Sequence, residues 1–144
     1  KPLNVYLTVR NLQKIHYESS GNVTSVDTIR SSSLKIDLWG GCGDLELLVN
    51  IGDGTFIQHL GTASLVMKGR CNISNVYAGD FGLLQLSGLR TGYTFVTSNS
   101  SNDCYVNARH QLSAAIRSIG NIYYSGNPAE IITDITGEGR LIPH

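Results

Sequence analysis

The sequence predicts an all-β fold, a right-handed parallel β-helix or solenoid with rungs of about 20 residues. Three observations predict it. A short Gly-polar pair recurs at nearly constant spacing, the residues after each pair form apolar and polar columns, and the composition favours turns and strands. Gly is abundant at 16 residues, Pro is scarce at three, and Ser, Thr and Asn are frequent.

The recurring pair is clearest at Gly21-Asn22-Val23, Gly43-Asp44-Leu45 and Gly120-Asn121-Ile122. Ala63-Ser64-Leu65, Gly82-Leu83-Leu84, Asn102-Asp103-Cys104 and Gly139-Arg140-Leu141 fit the same frame with substitutions. The second residues of these units are spaced by 22, 20, 19, 20, 18 and 19. A β-sandwich with turns at regular intervals is the alternative, but nothing in a sandwich forces the same turn residues at one period.

The column after the anchor reads Val23, Leu45, Leu65, Leu84, Cys104, Ile122, Leu141. Two residues further stand Ser25, Leu47, Met67, Leu86, Val106, Tyr124 and Pro143. Because alternate strand side chains face opposite ways, these two columns should point inward. The column between them should point outward: Thr24, Glu46, Val66, Gln85, Tyr105, Tyr123 and Ile142. A second strand per unit is expected at Leu34-Ile36-Leu38, Val76-Ala78, Tyr93-Phe95, Leu112-Ala114-Ile116 and Ile131-Thr133-Ile135. Neither strand has a face it can bury alone, so stacking of equivalent strands supplies the core. The Gly before each anchor is expected to provide a positive-φ corner, and Asn or Asp to bond neighbouring backbone.

One solenoid domain over residues 1–144 follows, with an entry strand over residues 1–17 and repeats from about 18 to 144. No leader segment precedes the alternation Leu3, Val5, Leu7, Val9, as if a longer precursor had been trimmed. The final unit, with Pro143, would blunt the end of the stack against edge pairing.

Gly120-Asn121-Ile122-Tyr123-Tyr124-Ser125-Gly126-Asn127-Pro128, followed by Ile135-Thr136-Gly137-Glu138-Gly139, resembles the C-terminal signature of the auto-transporter adhesin head GIN domains. The opening Leu3-Asn4-Val5-Tyr6-Leu7-Thr8-Val9 is similar to a family strand that precedes the repeats. The middle rungs depart from the family motif at Ala63-Ser64 and Gly82-Leu83, and the family's first strands are missing, as in a divergent or N-terminally truncated member. The resemblance implies a β-solenoid of the bacterial envelope, outside the cytoplasm, from a secreted or lipid-anchored precursor. It implies no catalytic residue.

Charge excludes one class. Eleven basic and eleven acidic side chains balance, whereas nucleic-acid binders carry a basic excess. No stretch approaches the roughly 20 apolar residues of a membrane span. The acidic residues scatter over the rung frame. Asp44 and Asp103 share the anchor column but lie three rungs, roughly 14 Å, apart at a strand spacing of about 4.8 Å, too far for a retaining carboxylate pair. His16, His59, His110 and His144 have no metal-site spacing, and no cofactor or metal is expected. Cys42, Cys71 and Cys104 show no CxxC pattern; Cys104 belongs to the inward column and Cys42 to an exposed Gly-rich corner. The sequons at Asn22, Asn72 and Asn99 are accounted for by composition.

The candidate ligand contacts are Tyr105 and Tyr123, outward in consecutive rungs, beside Gln85. Such a pair is either a flat platform for sugar rings or a stabilising aromatic ladder. Trp39 stands alone before Gly40-Gly41, in the core or as an exposed contact. The expected function is a non-enzymatic envelope binding or adhesion module for a glycan or surface protein. A carbohydrate-active enzyme on the same scaffold, or a structural spacer, are the alternatives.

Overall fold

The computed structural model describes residues 3–144. Among the described residues it is an all-β coil of about six turns, without helix, in which the strands pair in parallel. The strands are β1 (Lys14–Ser19), β2 (Val23–Thr24), β3 (Ile29–Gly41), β4 (Asp44–Gln58), β5 (Ser64–Ala78), β6 (Leu84–Ser98), β7 (Cys104–Ile116), β8 (Ile122–Ser125), β9 (Glu130–Ile135) and β10 (Leu141–Pro143). Their order is β1-β3-β4-β5-β6-β7-β8-β10, with β2 on β4 and β9 on β7.

The apolar column after the anchors is one unbroken ladder. Val23 pairs with Leu45, Leu45 with Leu65, Leu65 with Leu84, Leu84 with Cys104, Cys104 with Ile122, and Ile122 with Leu141. From Leu45 to Ile122 this column is buried, and its two end members, lacking a rung on one side, are half-buried. Leu47, Met67, Leu86 and Val106 form the second buried column. Each such side chain contributes about 1.5–3 kcal/mol on leaving water, so stacking, and not any single rung, makes the core.

The anchors have a specific bonding role. Asn22 Oδ1 accepts the backbone N–H of Asp44 at 3.0 Å, Asp103 Oδ1 that of Asn121 at 3.0 Å, and Asn121 Oδ1 that of Arg140 at 2.9 Å. An anchor carboxamide or carboxylate thus satisfies an N–H in the next rung, at a corner where the ladder is interrupted. At the substituted anchor Ser64, the hydroxyl instead donates to Asp44 Oδ1 at 2.6 Å.

The glycine preceding each anchor has a different purpose from the expected one. Positive φ occurs three residues before the anchor, at Gly41 (86°) and Gly61 (95°), and not at Gly43, Gly82, Gly120 or Gly139. Those four glycines lie against the preceding rung. A Cβ on them would overlap the carbonyl oxygen of Gly21, Ala63, Asn102 and Gly120 respectively. Backbone proximity excludes a side chain here, not backbone conformation.

Three further expectations are corrected. The alternation Leu3 to Val9 is not a strand; those residues are exposed without ladder partners, and the first strand begins at Lys14. The two short strands expected in each unit merge, in the middle rungs, into single bent strands of 15 residues. Inward parity switches within them: in β4 it runs Leu45, Leu47, Val49, Ile51 and then Gly54, Phe56, Gln58. The corner at Gly52-Asp53 absorbs one residue more than alternation allows. The same switch in β6 turns Tyr93 and Phe95 outward, 43% and 40% exposed, and buries Thr94, Val96 and Ser98. Buried Thr94 meets its hydrogen-bonding need through Thr91, whose Oγ1 lies 2.5 Å away and itself bonds the Asn107 carbonyl at 2.7 Å.

Candidate functional site

The outward column of the first half-rung places Gln85, Tyr105 and Tyr123 in line, as Cα partners in successive strands. The two phenol rings stack with centroids 4.9 Å apart and planes inclined by 12°. That separation is the strand spacing itself. Their flat faces are therefore turned toward each other, and solvent meets ring edges and hydroxyls. As geometry this is the ladder and not an open platform.

His144 closes the strip from the side. Its ring lies edge-on to both tyrosines, 5.7 Å from Tyr105 and 6.0 Å from Tyr123. It is positioned by its own backbone N–H, which donates to the Tyr124 carbonyl at 2.7 Å. At the other end, Gln85 Oε1 accepts from the N–H and Oγ of Ser87 at 3.2 and 2.6 Å, which orients the amide NH₂ as a donor. The strip thus offers hydroxyls, an amide and an imidazole in a row, all half-buried except His144. His144 was not among the sequence candidates; its proximity depends on the short last strand stacking in parallel on β8, with Ile142 opposite Tyr123.

A second cluster lies near the start of the coil. Asp37 is buried, with Lys14 Nζ at 3.6 Å, Lys35 Nζ at 3.8 Å and His59 Nε2 at 3.3 Å. Trp39 is 44% exposed and stacks on His59 at 3.8 Å, with planes 10° apart. So Trp39 is neither core nor isolated: it roofs a polar cluster. A buried carboxylate is tolerable because three cationic or hydrogen-bonding groups face it.

Four other acidic groups also serve the scaffold. Asp80 Oδ2 accepts the Gly61 N–H at 2.7 Å, and Asp134 pairs with Arg117 at 2.8 Å. Asp44 and Asp103 are held by the anchor bonds described above.

All three cysteines are free thiols; Cys42 is exposed, and Cys71 and Cys104 are buried. Burial pushes the Cys71 thiol up to about 11 and the Cys104 thiol up to about 12. Such thiols are inert hydrophobes, not nucleophiles. They also couple stability to pH. Each stays protonated when folded but ionises near 9 when unfolded, so the unfolded state binds fewer protons above that pH. Their contribution should be complete below pH 9 and decline as pH rises through about 11 and 12. Urea unfolding of wild type and of a C71A/C104A variant across this range should show the wild-type midpoint falling more steeply.

A family model described as "Putative auto-transporter adhesin, head GIN domain" matches residues 1–128. The match includes Gly120–Pro128 and stops short of Ile135–Gly139. No curated protein matches the chain. Among solved structures, a putative adhesin from Bacteroides fragilis is similar at a TM-score of 0.85 and 21% identity, over 92% of this chain and 61% of the other. A putative adhesin from Parabacteroides distasonis is similar at 0.74 and 23%, over 93% of this chain and 56% of the other. The chain therefore spans about three-fifths of the length of those proteins. At these identities the likeness carries the fold. Among the described residues no helix is long and apolar enough to cross a membrane.

Proposed function

We propose, from the premise that this chain belongs to the auto-transporter adhesin head GIN domain family, that it is a non-enzymatic binding module of the bacterial cell surface whose Gln85–Tyr105–Tyr123 strip contacts a hydroxyl-rich glycan. The observation that carries this reading is the aligned tyrosine pair, stacked at 4.9 Å and flanked by His144 and the Gln85 amide. A rigid parallel ladder holds these groups at one interval, so little side-chain entropy is lost when a repeating ligand lies along them. Hydroxyls and amides presented in a row suit the donor and acceptor pattern of sugars, and the ring edges add apolar contact. The acidic residues engaged in corner bonds and ion pairs support a scaffold role for them rather than a catalytic one.

A glycan array tests the reading. Signal on neutral glycans should fall about tenfold, the equivalent of about 1.4 kcal/mol, in the Y105A/Y123A variant. An unchanged signal removes the strip from the binding surface.

A further inference from the structure

We infer that the corner of the coil carrying Arg70, Arg90 and Arg109 is a second binding site, for an acidic polysaccharide. The site lies apart from the Tyr105–Tyr123 strip and does not depend on it.

The basic side chains follow the repeat. Arg30, Asn50, Arg70 and Arg90 are Cα partners down one column, at intervals of 20 residues. In the next rung the register changes. Thr91 pairs with Ala108 but Tyr93 with Gln111, so β7 carries one extra residue at this corner. That irregularity brings both Arg109 and His110 to the surface beside Gly92. A groove of about 430 Å³ results, lined among others by Arg70, Asn72, Arg90, Gly92, Arg109 and His110. A Cβ on Gly92 would stand 3.2 Å from the Asn72 carbonyl and 3.3 Å from the His110 ring, so a side chain there would crowd the groove.

Arg70 and Arg90 are Cα partners at the strand spacing of about 4.8 Å, and Arg109 joins them at the groove from the next rung, displaced along the strand. Three guanidiniums so gathered repel one another and call for an anion. Among the described residues no carboxylate lies within 4.0 Å of any of them. Arg117 and the two lysines beside Asp37, by contrast, have carboxylate partners. The nearest acids by register, Asp53 and Glu130, border the flanking columns opposite Ile73 and Gln111.

Guanidinium groups recognise carboxylates through two parallel N–H···O bonds. A polymer with regularly spaced carboxylates matches a column of them. Exposed aromatic surface adjoins the groove: the His110 and Tyr93 rings lie 5.6 Å apart, and Phe95 follows on the same face. Tyr and Phe rings suit the apolar C–H faces of sugars, a feature that a bare polyanion cannot use. A nucleic acid is disfavoured because duplex binding needs a broad positive field, and eleven acidic residues offset the basic ones over the rest of the surface.

Polygalacturonate is the probe. Affinity electrophoresis and calorimetry at low salt should show binding by the wild-type chain that weakens as salt rises. R70Q/R90Q/R109Q should bind at least about tenfold more weakly, with an unchanged circular dichroism spectrum; the milder R90Q should show an intermediate loss. R117Q, which removes the same charge elsewhere, should bind as wild type, and so should Y105A/Y123A. The inference is overturned if the triple variant binds normally, or if R117Q weakens binding as much. It is also overturned if polyglutamate or duplex DNA binds as tightly as polygalacturonate, because charge alone would then suffice.

Discussion

Replacing Phe56 by alanine should destabilise the coil by about 4 kcal/mol, near the upper part of the range for large-to-small core changes. Phe56 is fully buried in β4, between Ile36 of β3 and Val76 of β5. Its ring lies back over Gly54, where a Cβ would overlap the ring's far edge. The ring therefore fills two positions of the inward column. Removing it leaves a void bordered by a glycine, which has no side chain to relax into the space. Both neighbouring rung interfaces lose contact, and in a stack those nearest-neighbour interfaces are the source of stability. Guanidinium unfolding followed by circular dichroism measures the effect. A cost below about 1 kcal/mol would be inconsistent with a fully buried Phe56.

Gly120→Ala should be a costly single-methyl change, at about 2–3 kcal/mol. The added Cβ would collide with the Asn102 carbonyl oxygen and crowd that of Ser100, whose oxygen accepts the Gly120 N–H at 2.9 Å. Both neighbours are backbone, so relief requires moving one rung away from the other. The reverse change in the same column, Ala63→Gly, should cost only about 0.5–1 kcal/mol. Ala63 is buried with its methyl accommodated, and it is Gly82 in the following rung that receives the Ala63 carbonyl. Thermal unfolding of the two variants side by side tests the asymmetry. Wild-type stability for Gly120→Ala would remove close backbone approach as the reason for glycine there.

The first half of each rung was legible in the sequence. Seven apolar residues from Val23 to Leu141 occupy one column, and each is paired with its neighbour in the structure as the spacing requires. The signal is strong because anchor and column repeat together: a slip of one residue would both expose the leucines and break the Asn and Asp side-chain bonds. The outward positions of Gln85, Tyr105 and Tyr123 followed from the same frame. The column Arg30, Asn50, Arg70, Arg90 was also written at intervals of 20, with Arg109 following 19 residues later out of register. It went unread because Asn50 interrupts it, and because surface charge alone says nothing about pairing.

The second half-rung was less legible. Tyr93 and Phe95 have the apolar alternation of an inward pair, yet Thr94 and Val96 take those places. Alternation has two phases, and the corner selects between them by the number of residues it absorbs. No residue type marks that number.

By itself, then, the sequence determined the repeat length, the anchors and the register of one ladder, because these depend on short-range patterns that recur in every rung. Tertiary structure decided which aromatics face solvent, why glycine precedes the anchors, and which charges stand together unpaired. Those outcomes depend on contacts between residues about 20 apart, where the backbone of one rung, packed on the next, sets both the space available and the direction in which each side chain points.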